Sequence, residues 1–516
     1  MTGNPIMGVM QEVQKEVLEK RGKLKFPRNW FVYSCSAVAL LSGVVMIIFW
    51  FTNIFRDAIL SEMQLINGSS AFAWWQRPPV RVMYKMYLFN YTNVDEFNSG
   101  AAKKLKVEEL GPYIYRETLS KTNVQLNDDN TVSFREKRSY QWEGGRPDDE
   151  NVVVPNIPLI AAVAFSRDIN FMAQVGLTAV LTTLQAKTFV NLPVGQFLWG
   201  YDDNLFEMAK PFMDLQKRIP FDKFGLLAIK NGVSGDVVTM GTGVGNLEEL
   251  GLIKRLNGRE SNNVWGDERC DKLEGTDGTI FPPSWIRDTN KTILVYSKEM
   301  CRSLPLRYQG HGEAHGIPSL RYTLPDDAFT STPTKDSCFC ARSSNGVVCP
   351  PKGLYNVSQC NFGTPTLISF PHFYAADESL LEEIDGLKPQ KDLHQSVVHF
   401  HQKLGVPFGG STRIQINLEV RKAIGVPFIG KLKDGTILPL VWIETGIDKL
   451  PEPFFNAFYH AHFTANAAEA IAQWGSLILL ILSTGALLYI SWKDRKQQHA
   501  LLKRNASGEN RLINEV

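Results

Sequence analysis

Six of the seven cysteines fall between residues 270 and 360, and four of them (Cys338, Cys340, Cys349 and Cys360) crowd into the stretch SCFCARSSNGVVCPPKGLYNVSQC at 337–360. A cluster of this density reads as a disulfide framework, with Cys270 and Cys301 as its upstream members. Zinc is the competing reading. Zinc ribbons use C-x₂₋₄-C pairs, however, and Cys338-Phe339-Cys340 leaves a single residue between sulfurs. The sequon Asn356-Val357-Ser358 lies in the same stretch, and such acceptors are glycosylated only on the lumenal side. Together these features place the region in an oxidising compartment, outside the cell or in an organelle lumen. The pairing itself stays open, because six cysteines allow 15 connectivities.

The apolar residues concentrate at the two ends of the 516-residue chain. Residues 1–29 are polar and carry Lys15, Lys20, Arg21, Lys23, Lys25 and Arg28. The uncharged run at 30–55 follows, and its roughly 26 residues cover about 39 Å as a helix, enough to cross a bilayer with some tilt. A cleaved signal peptide would have a shorter apolar core and a small-residue cleavage site, so the run reads as an uncleaved anchor. Cys35 lies within it, which accounts for the odd cysteine as a membrane thiol, with lipidation as the alternative. A second span at 474–492 is bracketed by Trp474 and Trp492 and followed by Lys493, Arg495 and Lys496. Positive flanks at both ends predict cytoplasmic termini at 1–29 and 493–516, with residues 56–473 as an extracellular or lumenal domain.

Asn67, Asn90, Asn290 and Asn356 are then glycosylation candidates, whereas the sequon at Asn505 lies in the predicted cytoplasmic tail and should stay bare. A formal charge of +2 gives no basic bias toward nucleic acid.

Within the predicted ectodomain, residues 80–89 alternate with the period of a strand. Gly111-Pro112 is a turn signal opening a second strand, and residues 130–142 alternate again before Gly144-Gly145. Residues 158–190 change character: Ala and Leu dominate and apolar residues recur at three- and four-residue steps, as in two or three helices. These helices are either buried against the sheet or form an exposed apolar cap that docks a ligand or partner. From about 221 to 450 the pattern is mostly short strands between Gly, Pro and Asn turns. Examples are 236–240, 292–296, 366–370 and 412–420. The expected class is α+β: a β-barrel-like ectodomain with a helical cap at about 151–190, a disulfide-rich region at 270–360 and two terminal transmembrane helices.

Little in the chain points to bond chemistry. Gly241-Thr242-Gly243-Val244-Gly245 follows an apolar stretch, but position 246 is Asn and no βαβ unit follows, so a hairpin turn is expected rather than a nucleotide site. His399-Phe400-His401, with His394 nearby, offers two imidazoles as metal ligands, yet no local cysteine or carboxylate completes a set, and surface histidines are the expectation. Neither a nucleophile elbow, nor H-E-x-x-H, nor a P-loop occurs, so no enzyme, cofactor or metal is expected. Lys103, Lys104, Lys106 and the run 135–138 read as solvated basic faces that could also attract anionic particles. Leu501-Leu502 resembles a sorting dileucine, but Gln497 stands where an acidic residue usually precedes it.

LFNYTN (88–93), GPYIYRE (111–117), LWGYDD (198–203) and EGTDGTIFPP (274–283) resemble the class B scavenger receptor family. That family includes the lysosomal integral membrane protein and the insect sensory neuron membrane proteins, and FNYTNVDEF (89–97) is reminiscent of the sensory branch. MCRS (300–303), GIPSLRY (316–322), SCFC (337–340), CPPKGLYNVSQC (349–360), SFPHFYAAD (369–377), DGLKP (385–389) and PLVWIE (439–444) extend the resemblance over nearly the whole chain. It implies a barrel crowned by a ligand-binding helical cap, an apolar tunnel toward the membrane, and the pairs Cys270–Cys338, Cys301–Cys360 and Cys340–Cys349. It implies a plasma-membrane receptor for lipids, lipoproteins or anionic particles, acting by uptake or by tunnel transfer. The alternatives are a sorting or adhesion receptor of endosomal or lysosomal membranes that binds a protein through its cap, and a sensory accessory protein. In some members a cap lysine anchors ligand. Thr183 occupies that site here and Lys187 is the nearby candidate.

Overall fold

The computed structural model describes residues 28–216, 221–334, 336–343 and 346–513. The expected N-terminal tail therefore lies, up to residue 27, outside the described residues. The chain divides into a terminal unit, made of the residues up to Ile59 and those from Phe463 onward, and a larger unit, Leu60–His462.

The terminal unit is a pair of helices. The first, Arg28–Phe51, ends four residues before the apolar run does. The second, Ala465–Ile513, extends well beyond the predicted span at both ends. Both contain stretches long and apolar enough to cross a bilayer. Trp50 and Gln473 clasp them: the Trp50 indole N–H donates to the Gln473 carbonyl at 3.2 Å, and the Gln473 amide donates to the Phe49 carbonyl at 2.9 Å. Trp474 meets Trp50 edge to face at 5.4 Å. Ser42, Ser476 and Ser483 are buried, and each returns its hydroxyl to a backbone carbonyl of its own helix. Small residues let the helices approach, and this bonding leaves no hydroxyl bare in an apolar setting.

The larger unit is built on one 15-stranded sheet. Its main path uses eleven strands: β1 Val82–Tyr91, β2 Leu105–Leu126, β3 Thr131–Gly145, β4 Val238–Gly241, β5 Ile253–Leu256, β6 Ile293–Ser297, β7 Arg302–Ala314, β8 Ile317–Thr323, β9 Val397–His401, β10 Pro407–Glu419 and β11 Ile437–Ile447. They run β5-β4-β3-β2-β1-β11-β10-β9-β8-β7-β6, every neighbouring pair antiparallel. Thr276 nearly closes the circuit. It bridges Leu252, just before β5, on one side and Val295 of β6 on the other, and it is fully buried. The fold is thus α+β with a nearly closed, barrel-like antiparallel sheet. β11 sits centrally, and its first seven residues are all buried, as expected of a strand covered on both faces.

Gly111-Pro112 does not open β2. The strand starts at Leu105 and runs through this pair, and the irregularity it introduces is absorbed as a register shift against Met86 and Leu88 of β1. Gly241–Gly245 begins the connection between β4 and β5. The backbones of Gly243 and Gly245 adopt the left-handed region that a tight turn needs.

The disulfides lie in this unit. Cys270 joins Cys338, Cys301 joins Cys360 and Cys340 joins Cys349, with Cα separations of 6.2, 6.1 and 4.5 Å. Trp265, Phe339 and Tyr355 pack against one another in edge-on and tilted contacts, and the Trp265 indole donates to the Cys301 carbonyl at 2.8 Å.

Candidate ligand-binding cap and barrel interior

A two-stranded ribbon, Asn151–Pro155 with Phe189–Pro193, lifts two helices out of the chain between β3 and β4: α1 Ile157–Ser166 and α2 Phe171–Thr183. Asn156 caps α1 by accepting from the Leu159 amide at 3.1 Å, while its own amide donates to the Lys187 carbonyl, tying the start of one helix to the exit of the other. Asn170 caps α2 in the same way, accepting from Ala173 at 3.0 Å. The helices then diverge. α1 buries Ile157, Leu159, Ile160 and Val163 in the core, whereas Leu181 is the buried residue of α2. Phe171, Met172 and Val175 of α2 are 69%, 75% and 46% exposed, and Phe165 at the end of α1 is 61% exposed. α1 is thus buried against the sheet, whereas α2 presents an exposed apolar face.

α2 rests on a loop formed by residues 421–435. Thr178 donates to the Gly425 carbonyl at 2.9 Å, and Thr188 donates to the Phe428 carbonyl at 3.0 Å. Thr183 spends its hydroxyl on the Ala179 carbonyl of its own helix. Lys187 is exposed, just past the end of α2. Sequence reasoning missed the 421–435 loop altogether. The signal was the three-residue spacing of its buried members, Ala423, Val426, Ile429 and Leu432.

Inside the sheet, the inward row of β3 begins apolar with Val132 and Phe134, then turns charged at Glu136 and Arg138 before reaching Tyr140. The Arg138 guanidinium donates to Glu117 of β2 and to Glu136, each at 3.2 Å. Lys298 reaches Glu136 at 2.6 Å, Lys230 reaches Glu299 at 2.8 Å, and the hydroxyls of Tyr140 and Tyr84 donate to Glu117 at 2.9 and 3.3 Å. Burial alone would raise the Glu136 carboxyl, but Arg138 and Lys298 outweigh it and hold the group at about 2. The run 135–138 is accordingly not a solvated basic face. Period-two alternation turns two of its members inward, where they pair with each other, with Glu117 of the adjacent strand and with Lys298. This belt lies between one apolar cluster containing Trp75, Phe134 and Met240 and another containing Tyr84, Tyr113 and Tyr115.

The histidines correct a further expectation. His394 and His401 are 3% and 0% exposed rather than superficial. The His401 ring lies against the Phe458 carbonyl at 3.3 Å and accepts from Leu404, and His394 accepts from the Gln390 amide and stacks on His372 at 4.7 Å. His399 is half-buried and shares a hydrogen bond with the Ser319 hydroxyl at 2.8 Å. Backbone and side-chain partners engage these rings. No group of three metal-ligating side chains occurs among the described residues.

The candidate glycan acceptors separate by setting. Asn67 and Asn290 are exposed. Asn90 lies within β1 and accepts from the Val153 amide at 2.9 Å, and Asn356 is half-buried and accepts from the Ser358 hydroxyl. A concavity of about 660 Å³ near the closing seam is lined by charge, and its Arg255 and Lys254 are already paired with Asp129 and Glu249.

The chain combines a nearly closed antiparallel barrel, an exposed apolar helix and two helices long and apolar enough to cross a bilayer. The chain belongs to the CD36 family, which residues 34–491 match. Scavenger receptor class B member 1 of Sus scrofa is 32% identical over 413 residues, covering 78% of each chain. The Rattus norvegicus protein of that name is 32% identical over 491 residues, 91% of this chain and 93% of the relative. Lysosome membrane protein 2 of Homo sapiens is 30% identical over 426 residues, 80% of this chain and 86% of the relative.

Proposed function

We propose that this chain is a lipid receptor held in the membrane by its two terminal helices, both ends cytoplasmic and the larger unit outside the cell or in an organelle lumen. It captures lipids, lipoproteins or anionic particles on the outer face of α2 and delivers them by uptake. The observation that carries the reading is the exposure of Phe171, Met172 and Val175 on a capped helix fixed to the fold by hydrogen bonds. Apolar area left in water carries an unfavourable free energy of about 25 cal/mol per Å², so a fixed exposed face favours a greasy partner. Lys187, exposed past the opposite end of α2 from Phe171, Met172 and Val175, is the candidate cation for an anionic group on the cap.

Transfer of cargo through the barrel is the other route within this reading. The ionic belt at Glu117, Arg138 and Glu136 disfavours it, because an apolar molecule crossing there would displace paired charges. The second reading, a sorting receptor that binds a protein on α2, draws on the similarity to lysosome membrane protein 2.

The test is uptake of fluorescent lipoprotein by cells expressing the full chain, with Phe171→Asp and Met172→Asp as variants. Loss of uptake with normal surface expression supports capture at α2. Unchanged uptake in both variants removes the site.

A further inference from the structure

The segment 384–390 lies beside the start of β2, and two buried imidazoles hold its outer half. Ile384 and Asp385 pair in parallel with Leu105 and Lys106. Gly386 follows in the left-handed region, where a Cβ would overlap the Val107 carbonyl. Leu387 packs against two apolar clusters, one of them holding Phe373 and Leu380. Beyond Leu387 the exposed backbone hangs on histidines. The Lys388 amide donates to Nδ1 of His372 at 3.1 Å, and the Gln390 amide donates to Nδ1 of His394 at 2.9 Å. Pro389 has no N–H, so these two rings receive every backbone amide hydrogen of residues 388–390.

The rings are 5% and 3% exposed and stack on each other at 4.7 Å. Each must be without a proton at Nδ1 to accept. At His372 the tautomer is set from the far side: the Glu109 carboxylate, which can only accept, takes the Nε2 hydrogen and also the Trp442 indole N–H at 2.7 Å. Burial alone would raise the Glu109 carboxyl, but these donors outweigh it and lower the group, so it stays ionised where imidazoles titrate. A further proton on His372 must then go to Nδ1, the atom that the Lys388 amide occupies. The other neighbours of His372, Phe89 of β1 and Gln415 of β10, carry no charge. At His394 burial lowers the proton affinity most, to about 4; His372 and Arg413 add to that and Glu109 opposes it. Arg413 is itself engaged by Glu444 at 2.7 Å. The charged side chains of the segment and the turn after it, Asp385, Lys388, Lys391 and Asp392, are exposed.

We propose that residues 386–390 are an acid-released strap: protons on His372 and His394 turn both acceptors into donors facing donors, and the backbone they hold swings off, uncovering the seat of Leu387. Like charge on two stacked rings adds to the effect. Release frees His394 to bind its proton at the ordinary value of 6.5, so the open form gains roughly twentyfold between pH 7 and pH 5. The strap works whatever α2 binds, and it gives the larger unit a local response to acid.

Hydrogen exchange of the full chain in neutral phosphatidylcholine nanodiscs tests this, read residue by residue by mass spectrometry and corrected for the intrinsic effect of pH. Protection of the Lys388 and Gln390 amides should fall roughly twentyfold from pH 7 to pH 5. Leu88 and Val441, paired in the central strands β1 and β11, should keep theirs. His394→Asn places an amide oxygen where Nδ1 stands and takes up no proton in this range, so protection at Gln390 should persist at pH 5. Unchanged protection of both strap amides in the parent overturns the strap. So does a loss that spreads equally to Leu88 and Val441, or a loss at Gln390 as large in His394→Asn as in the parent. Should that variant not fold, the parent decides at finer steps. One proton taken up on opening gives a roughly sevenfold fall from pH 6 to pH 5, and a fall below twofold overturns the strap. Lipoprotein uptake by cells is a separate readout, and its loss bears on the receptor reading alone.

Discussion

The ammonium of Lys121 donates to the backbone carbonyl of Trp75, 3.3 Å away, at a site where the lysine side chain has no exposure. It also faces the rings of Trp75 and Phe134 at 4.8 and 5.4 Å, and Asp277 stands 3.7 Å off. Burial lowers the lysine's affinity for its proton, and the carboxylate and rings hold the charge in place. Removing one member of such a pair strands the other.

Lys121→Ala should therefore cost about 3–5 kcal/mol, because Asp277 is left without its cation and the aromatic wall loses its filling. Lys121→Met, which keeps the volume, should cost less. Denaturant unfolding of the full chain in detergent, followed by tryptophan fluorescence, measures both. Equal stability of the alanine variant and the parent would show that the buried pair is dispensable.

Acidification should weaken the fold through its buried histidines. Burial depresses His394 and His401 to about 4, against an ordinary value of 6.5, with the neighbouring His372 adding to the effect at His394. Between those values the unfolded chain binds protons that the folded chain does not. The stability is therefore complete above pH 6.5 and declines as pH falls toward 4, by about 2 kcal/mol for each imidazole at pH 5. Thermal unfolding at pH 7 and pH 5 should show the drop, and His401→Gln should make it shallower. A melting temperature independent of pH across this range counts against the assignment.

Glu136 should act in the same direction, over a lower window. Its carboxyl is held near 2, so its contribution is present above about 4.5 and is lost only as pH falls from there toward 2. Glu136→Gln should lower stability at pH 7 and pH 5 alike, leaving the slope between them as in the parent. A variant that flattens that slope would reassign the acid sensitivity to the belt.

Much of the fold is legible in the residues. The alternation at 80–89 is β1 shifted by two positions, and the change of character at 158–190 marks α1 and α2. What stayed hidden depends on distant partners. Nothing near residues 135–138 announces that Lys298 will reach Glu136 across 162 positions, so a run with two inward members read as surface. Burial of His401 is set by the Phe458 carbonyl, again far along the chain. The sequence reading passes over the 421–435 loop, whose local pattern does not reveal that Ile424 alone of its aliphatic residues points out to full exposure.

Thiol labelling checks the cross-links. In the native chain Cys35 should be the reactive cysteine among seven, since the other six sulfurs are bonded in pairs. Replacing both Cys270 and Cys338 by Ser reopens a loop with a sequence separation of 68 and should cost about 4 kcal/mol. Labelling of Cys338 or Cys349 in the unreduced protein would contradict both the pairing and the oxidising compartment.

Glycan mapping by mass spectrometry checks the sidedness. Sugar is expected on the exposed Asn67 and Asn290, and none on Asn505. A glycan at Asn505 would reverse the proposed topology.

Thr276 makes one residue the clasp of an otherwise continuous hoop of strands, touching Leu252 on one flank and Val295 on the other. A hoop shut this way offers neighbouring copies little unpaired backbone to zip onto. Molecules packed densely in one patch of membrane can then stand shoulder to shoulder without their sheets fusing.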